Sequence, residues 1–317
     1  GTFGGTLAVG DTAAIRFDRG THTFSAGALI TGNGNFYVYG SATTVTLTDG
    51  YSLKQLQIQN GTLNAGGAMT VETFSQVNGT YASSENLTVS DTYGFAGGTA
   101  AHSGSGTTII GSEATATFSS GNFYLRGDRD LVNNGTMNQS GGANIRSLGG
   151  SNSEITNSGG ATWSLATNNN TTFVYNDSSS TVTFTNNGDL TKTSSGRVYF
   201  GTSSGTATLV NNGNLDISSG FMYIQGAAGA TFSNASTLTI QCSATQKGIE
   251  GNGDPLNFGG TLVLVSTITP PTGQAIRVID YDVHSGTFST ITPPQGLTVQ
   301  TVVYDNTVNN GHLDVTF

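Results

Sequence analysis

Charge is what this chain has least of: only 9% of its 317 residues are Asp, Glu, Lys or Arg. Ten Lys and Arg stand against nineteen Asp and Glu, so no basic face exists to neutralise a phosphate backbone. Nucleic acid is therefore excluded as an expected partner, and anionic membrane surfaces are disfavoured. Long hydrophobic runs are missing too. The longest strongly apolar stretch lies near Leu262-Val263-Leu264-Val265, far short of the roughly 20 residues that a membrane-spanning helix needs. With a single cysteine, Cys242, no internal disulfide forms, and the residue reads as a small core side chain. His22, His102, His284 and His312 are scattered without metal-ligand spacing, so neither a metal nor any other cofactor is expected. The chain begins at Gly1 without Met or a charged-then-apolar leader, which fits a processed secreted protein or a piece of a longer one.

Strong helix formers are scarce, whereas Gly (46 residues), Thr, Ser and Asn abound. Turn chemistry and β-propensity thus point the same way, to an all-β fold. Disorder is the competing reading of a polar, Gly-rich chain, but 35% hydrophobic residues at regular intervals and a net charge of only −9 oppose it.

What the chain does contain is a repeat. An apolar residue followed two places on by Asn recurs in Leu131-Val132-Asn133-Asn134-Gly135, Ile155-Thr156-Asn157-Ser158-Gly159, Phe184-Thr185-Asn186-Asn187-Gly188, Leu209-Val210-Asn211-Asn212-Gly213 and Phe232-Ser233-Asn234-Ala235-Ser236. The aligned asparagines are 24, 29, 25 and 23 positions apart, the period of one coil of a solenoid rather than of a domain. A second apolar residue follows six places on in four copies, at Met137, Leu190, Leu215 and Leu238, and eight places on at Trp163. Alternation around it buries one face of each short strand. The central Asn and Gly are expected to bend the chain through positive φ. Asn133, Asn157, Asn186, Asn211 and Asn234 should then lie in a line, each amide bonding the next.

The fold expected is a parallel β-helix (β-solenoid) over residues 1–254, with irregular rungs in the first half and clearer repeats from about 131. All five prolines fall in the last 63 residues, between Pro255 and Pro294. Because proline cannot donate to a ladder, it should lie in connections, and residues 255–317 read as a C-terminal β cap or small β-sandwich-like extension.

Stretches such as Phe123-Tyr124-Leu125-Arg126-Gly127, Leu209-Val210-Asn211-Asn212-Gly213-Asn214-Leu215-Asp216 and Gly260-Thr261-Leu262 resemble the β-helix modules of large bacterial surface proteins, autotransporter passengers and filamentous adhesins among them. The resemblance implies an extracellular or cell-surface location and carries no catalytic residues over.

Local candidates for chemistry are few. Arg126-Gly127-Asp128-Arg129-Asp130 is dense in charge, and its first three residues match an integrin-binding signal; alternating-sign pairs in a turn explain it more simply. Asp280 and Asp282 share a face and offer at most a weak cation site. Thr44-Thr46-Thr48 and Thr181-Thr183-Thr185 resemble the threonine ranks of ice-binding solenoids, but rungs of variable length work against a flat regular face.

The function expected is that of a non-catalytic structural subunit that joins copies of itself head-to-tail into a surface filament, sheath or stalk. Phe3, Leu7, Val315 and Phe317 are the candidate joint, because an uncovered end rung presents unpaired N–H and C=O groups. A monomeric adhesin passenger displaying a glycan- or host-binding surface is the alternative. A polysaccharide lyase or hydrolase of the parallel β-helix type is a third reading, and it requires a cluster of carboxylates on one face.

Overall fold

The computed structural model describes residues 1–317 except 168–169, 203, 226–229, 243–247, 253–254, 267–272 and 308–310. The described residues form no helix, and parallel strands stack in a β-solenoid of about 11 turns. The chain divides into two compact units, residues 1–154 and 155–317.

In the first unit a turn of the coil has three faces. Tyr51–Ile58 bends to supply two of them and Thr62–Ala65 the third. Met69–Gln76 pairs in parallel with Tyr51–Ile58 on one side and with Leu87–Ser103 on the other. Met69 lies directly between Tyr51 and Leu87, so each turn takes 18 residues here, and the Asn64 amide reaches Thr46 Oγ1 across that interval. The first half was expected to be irregular; between residues 44 and 87 it is instead the most regular part of this unit. Asn60-Gly61-Thr62 and Asn78-Gly79-Thr80 make the same corner one turn apart, with Gly61 at φ 76° and Gly79 at φ 81°. The Thr80 N–H donates to Gly61 O at 2.8 Å. Only glycine adopts this backbone freely, and a Cβ at Gly79 would also press on Gly61 O.

Inside, period-2 alternation buries one residue in two. Phe74 stacks on Tyr93 at 4.8 Å, while Phe118 meets Tyr93 edge-on at 5.1 Å and Phe95 at 5.4 Å. These rings are fully buried and fill a column that short side chains would leave hollow.

The second unit uses longer turns. Thr181–Asn186 pairs with Thr206–Asn211 in parallel register, and that strand pairs in turn with Thr231–Asn234. Successive direct partners build interior ranks Phe184–Leu209–Phe232–Leu256 and Leu190–Leu215–Leu238–Leu262. Every member of both ranks is fully buried. Removing one such leucine side chain costs about 2–5 kcal/mol, because the ranks above and below hold the cavity open.

The parallel ladder does not stop at 255. Pro255–Phe258 and Thr261–Val265 continue it and pair onward with Val283–Gly286 and Thr290–Thr292. The change of architecture comes later. Gly311–Thr316 lies antiparallel between Ala275–Tyr281 and Thr301–Asp305, so the cap is two strands, not the whole of 255–317. Pro255 opens a strand, a place where the missing N–H is tolerated. Pro293 and Pro294 lie between strands, and Pro270 and Pro271 lie outside the described residues.

Candidate functional site

Asn157, Asn186, Asn211 and Asn234 are joined directly. Asn157 Nδ2 donates to Asn186 Oδ1 at 2.8 Å, Asn186 to Asn211 at 2.7 Å, and Asn211 to Asn234 at 2.6 Å. The second amide hydrogen goes to a main-chain carbonyl on the next turn: that of Asp189, Asn214 and Thr237 respectively. Asn157, Asn186 and Asn211 have no solvent exposure or almost none, and Asn234 has 3%. Asn133 belongs to the first unit, is fully buried, and accepts from the Gly135 N–H at 3.2 Å. Asn234 ends the series by donating to Ser236 O and Gly259 O.

The glycines of this motif do something other than bend the chain through positive φ. Gly135, Gly188 and Gly213 have ordinary φ, and a Cβ on Gly188 would sit against Ala161 O and Ser158 O, one on Gly213 against Gly188 O. They are small because the backbone of the neighbouring turn passes there. At these three positions tight stacking, not turn geometry, calls for glycine, whereas Gly159 has no such close neighbour.

Two further polar features of the interior had no counterpart in the expectations. Lys192 occupies an interior position between Leu165 and Ile217 on adjacent strands. Its Nζ donates to Ser194 O at 2.6 Å, Gly196 O at 2.7 Å and Ser219 O at 2.7 Å, and burial pulls its pKa down to about 8. The signal for it was present: in Leu190-Thr191-Lys192 the lysine takes the slot held by Ile217 in Leu215-Asp216-Ile217 and by Ile240 in Leu238-Thr239-Ile240.

In the first unit His102 is fully buried. Its Nδ1 lies 2.7 Å from Thr108 Oγ1, and its Nε2 lies 3.0 Å from Gln76 Oε1 and 3.2 Å from the Tyr93 hydroxyl. Burial first, and the nearby Arg129 charge second, hold its pKa well below the ordinary value, so the ring is neutral. Arg129, also buried, donates to Ser83 O and Glu85 O at 2.9 Å and to Thr107 O at 3.0 Å, with its guanidinium 5.3 Å from the Tyr81 ring centre.

That placement settles the local role of the charge-dense segment. Arg129 points inward, while Asp128 Oδ1 accepts from the Asn152 N–H and Asp130 Oδ1 from the Glu154 N–H, each at 2.8 Å. Both carboxylates stitch one turn to the next. Asp280 lies 3.6 Å from Arg277 Nε, which also lies 3.5 Å from Asp314. Among the described residues no three His, Cys, Asp or Glu are placed to hold a metal ion. Cys242 is buried and its thiol points to Val265 O at 3.3 Å.

The candidate joint splits in two. Phe3 stacks on Phe24 at 4.9 Å yet stays 37% exposed, and Leu7 lies half-buried on Thr6–Ala8, opposite Ile30. Thr2–Phe3, Thr6–Ala8 and Ala14–Phe17 each have a partner strand on one side only among the described residues. Val315 and Phe317 do not qualify. They are buried, and Gly311–Thr316 has both edges occupied, so no further strand pairs there. At that end Val283–Gly286, Thr290–Thr292 and Thr301–Asp305 have a partner strand on one side only among the described residues, with Val283 56% exposed.

An outer groove of about 480 Å³ lies across four parallel strands of the second unit, Thr162–Thr167, Asp189–Lys192, Asn214–Ile217 and Thr237–Gln241. Alternation turns two ranks of side chains outward. One runs Thr162, Asp189, Asn214, Thr237; the other runs Ser164, Thr191, Asp216, Thr239. Asn214 Nδ2 donates to Asp189 Oδ1 at 2.7 Å. Asp216 Oδ1 is closed off from solvent and has no hydrogen-bond partner. Sequence reasoning missed this surface because its threonines are interrupted by Asp and Asn and are aligned by strand register, not by sequence spacing.

Comparison with protein-family models, with curated proteins and with solved structures finds no match for this chain.

Proposed function

We propose that the chain is a non-catalytic structural subunit of a bacterial cell surface, secreted and joined end to end with copies of itself into a filament, sheath or stalk. The observation that carries this reading is the state of the two terminal turns. Among the described residues, Thr2–Phe3, Thr6–Ala8 and Ala14–Phe17 at the first and Val283–Gly286, Thr290–Thr292 and Thr301–Asp305 at the last are paired on one side only, and apolar side chains stand exposed beside them. Phe3 and Leu29 lie in the first two turns, Val283 in the last one and Val303 on the outermost cap strand. Unpaired strand edges with exposed apolar residues are templates for a further strand. Contact between two different ends is heterologous and propagates unless its rotation closes a ring. Low overall charge weakens repulsion between copies.

The carboxylates of the charge-dense segment support a non-catalytic role, since Asp128 and Asp130 are engaged by backbone N–H groups. Sedimentation velocity over a hundredfold range of concentration, with negative-stain imaging, tests the reading. Linear multimers that lengthen with concentration are expected. Leu7→Lys or Val283→Lys should each shift the distribution back to single chains by placing a charge on one edge. A chain that stays monomeric throughout, or variants that assemble as the parent does, overturns the proposal.

A further inference from the structure

We infer that the outer groove of the second unit binds a linear neutral polysaccharide, laid across the strands with about one sugar per turn of the coil. This is independent of end-to-end assembly, because the groove lies on a face of the coil and not on its terminal strands. Four observations select the ligand.

The outward-facing side chains of the lining carry hydroxyls, one amide and two carboxylates over a floor of Trp163 and Leu190, with no Lys or Arg among the lining residues. Such a surface accepts and donates hydrogen bonds but repels anions, so polyuronates are disfavoured and a polyhydroxylated, uncharged chain is suited. The polar groups also repeat in register from strand to strand at about 4.8 Å, close to the length of one pyranose unit in an extended chain. A ligand with that period meets a pair of polar groups at each step, such as Thr191 then Asp216 then Thr239 in the second rank.

Asp216 supplies the third observation. With one carboxylate oxygen shut away from water and given no donor, this half-buried side chain is under-solvated, and a ligand hydroxyl donated to its exposed part offsets some of that cost. The fourth is preorganisation. Asn214 holds Asp189 through a 2.7 Å bond, and parallel pairing fixes the backbone beneath, so few side chains need ordering when a sugar arrives. A peptide is a poor fit by comparison, because the apolar lining residues Trp163 and Leu190 are buried beneath the polar ranks and leave no pocket for an anchor.

The test uses the full chain on immobilised neutral linear glycans (a β-glucan, a mannan and a xylan) beside polygalacturonate and alginate. Retention on at least one neutral glycan is expected, with little dependence on salt. Asp216→Ala should weaken it roughly tenfold, about the worth of one well-made hydrogen bond to a charged group. Thr191→Val, which deletes a hydroxyl from an outward-facing site without changing volume, should weaken it several-fold and guards against a folding defect in the first variant. Sedimentation of both variants should match the parent. Failure to retain any neutral glycan, preference for the polyuronates, or unchanged retention by both variants overturns the inference.

Discussion

The two units solve one problem with different chemistry. In the first, the interior rank leading to Asn133 is apolar, running Leu53, Val71, Val89 and Ile110 through direct strand partners, and polar groups gather elsewhere, around His102 and Arg129. In the second, an amide ladder runs through the interior and an isolated lysine sits among leucine and isoleucine. The difference teaches that a coil of stacked strands tolerates buried polarity when each group is satisfied along the stacking direction. The ladder does so by repetition, each asparagine presenting the same donor and acceptor to the next turn. The His102 and Arg129 cluster does so once, with a set of partners that no other turn reproduces. A defect in the ladder therefore spreads to both neighbours, whereas a defect in the cluster stays local but removes more bonds at once.

The largest effect that separates the units is expected from Arg129→Met. It deletes the charge-assisted bonds to Ser83 O, Glu85 O and Thr107 O, and at roughly 1.5–3 kcal/mol each the loss should reach at least about 4.5 kcal/mol. Hydrogen exchange should show faster opening confined to amides near residues 81–131, and opening spread equally through residues 155–317 would show that the cluster is not local. Next comes Asn211→Leu, which strands the Asn186 donor and the Asn234 acceptor; about 3 kcal/mol is expected from the shift in the urea midpoint. Exchange should rise on the turns before and after 211. A loss confined to one turn would break the contrast drawn here.

Dependence on pH should act on the two units in the same sense but in separate windows, by at most about 1.4 kcal/mol per pH unit for each group. His102 stays neutral when folded although its unfolded pKa is near 6.5, so below that value the unfolded chain binds more protons and the first unit loses stability. Lys192 has a folded pKa of about 8 against 10.5 unfolded; between these values the unfolded chain again holds the extra proton, so stability of the second unit rises as pH increases through that window. His102→Gln should flatten the acid limb and Lys192→Met the alkaline one in thermal melts, and limbs that persist in these variants would assign the dependence elsewhere. The smallest effect is expected from Asp128→Ala, about 1 kcal/mol, from the lost bond to the Asn152 N–H and a φ of 61° that alanine adopts less readily. A melting shift several times larger would mean that the segment does more than join two turns.

Much of this was legible in the sequence because a stacked coil copies its own pattern. The Asn spacing and the alternation around Leu190, Leu215 and Leu238 led to the parallel solenoid and to the alignment of the asparagines. The 18-residue period of the first unit was missed although Asn60-Gly61-Thr62 and Asn78-Gly79-Thr80 display it, because its interior slots exchange Leu, Met, Val and Phe freely. What packs inside is volume, and volume leaves a weak signature in residue names. The cap was misjudged for a different reason. Val315 and Phe317 read as exposed edge residues, since antiparallel return onto Ala275–Tyr281 is a long-range pairing that alternation alone does not reveal. The outer groove was invisible because no single strand contains it.

The asparagine ladder has a consequence beyond stability. All three links donate from the earlier turn to the later one, so the amide dipoles add rather than cancel and the column carries an arrow. A coil inserted upside down would set donor against donor, while one displaced by a whole turn would not. Such a vectorial interior tolerates duplication and loss of whole repeats, yet forbids inversion, and so records in its hydrogen bonds the sense in which the chain was wound.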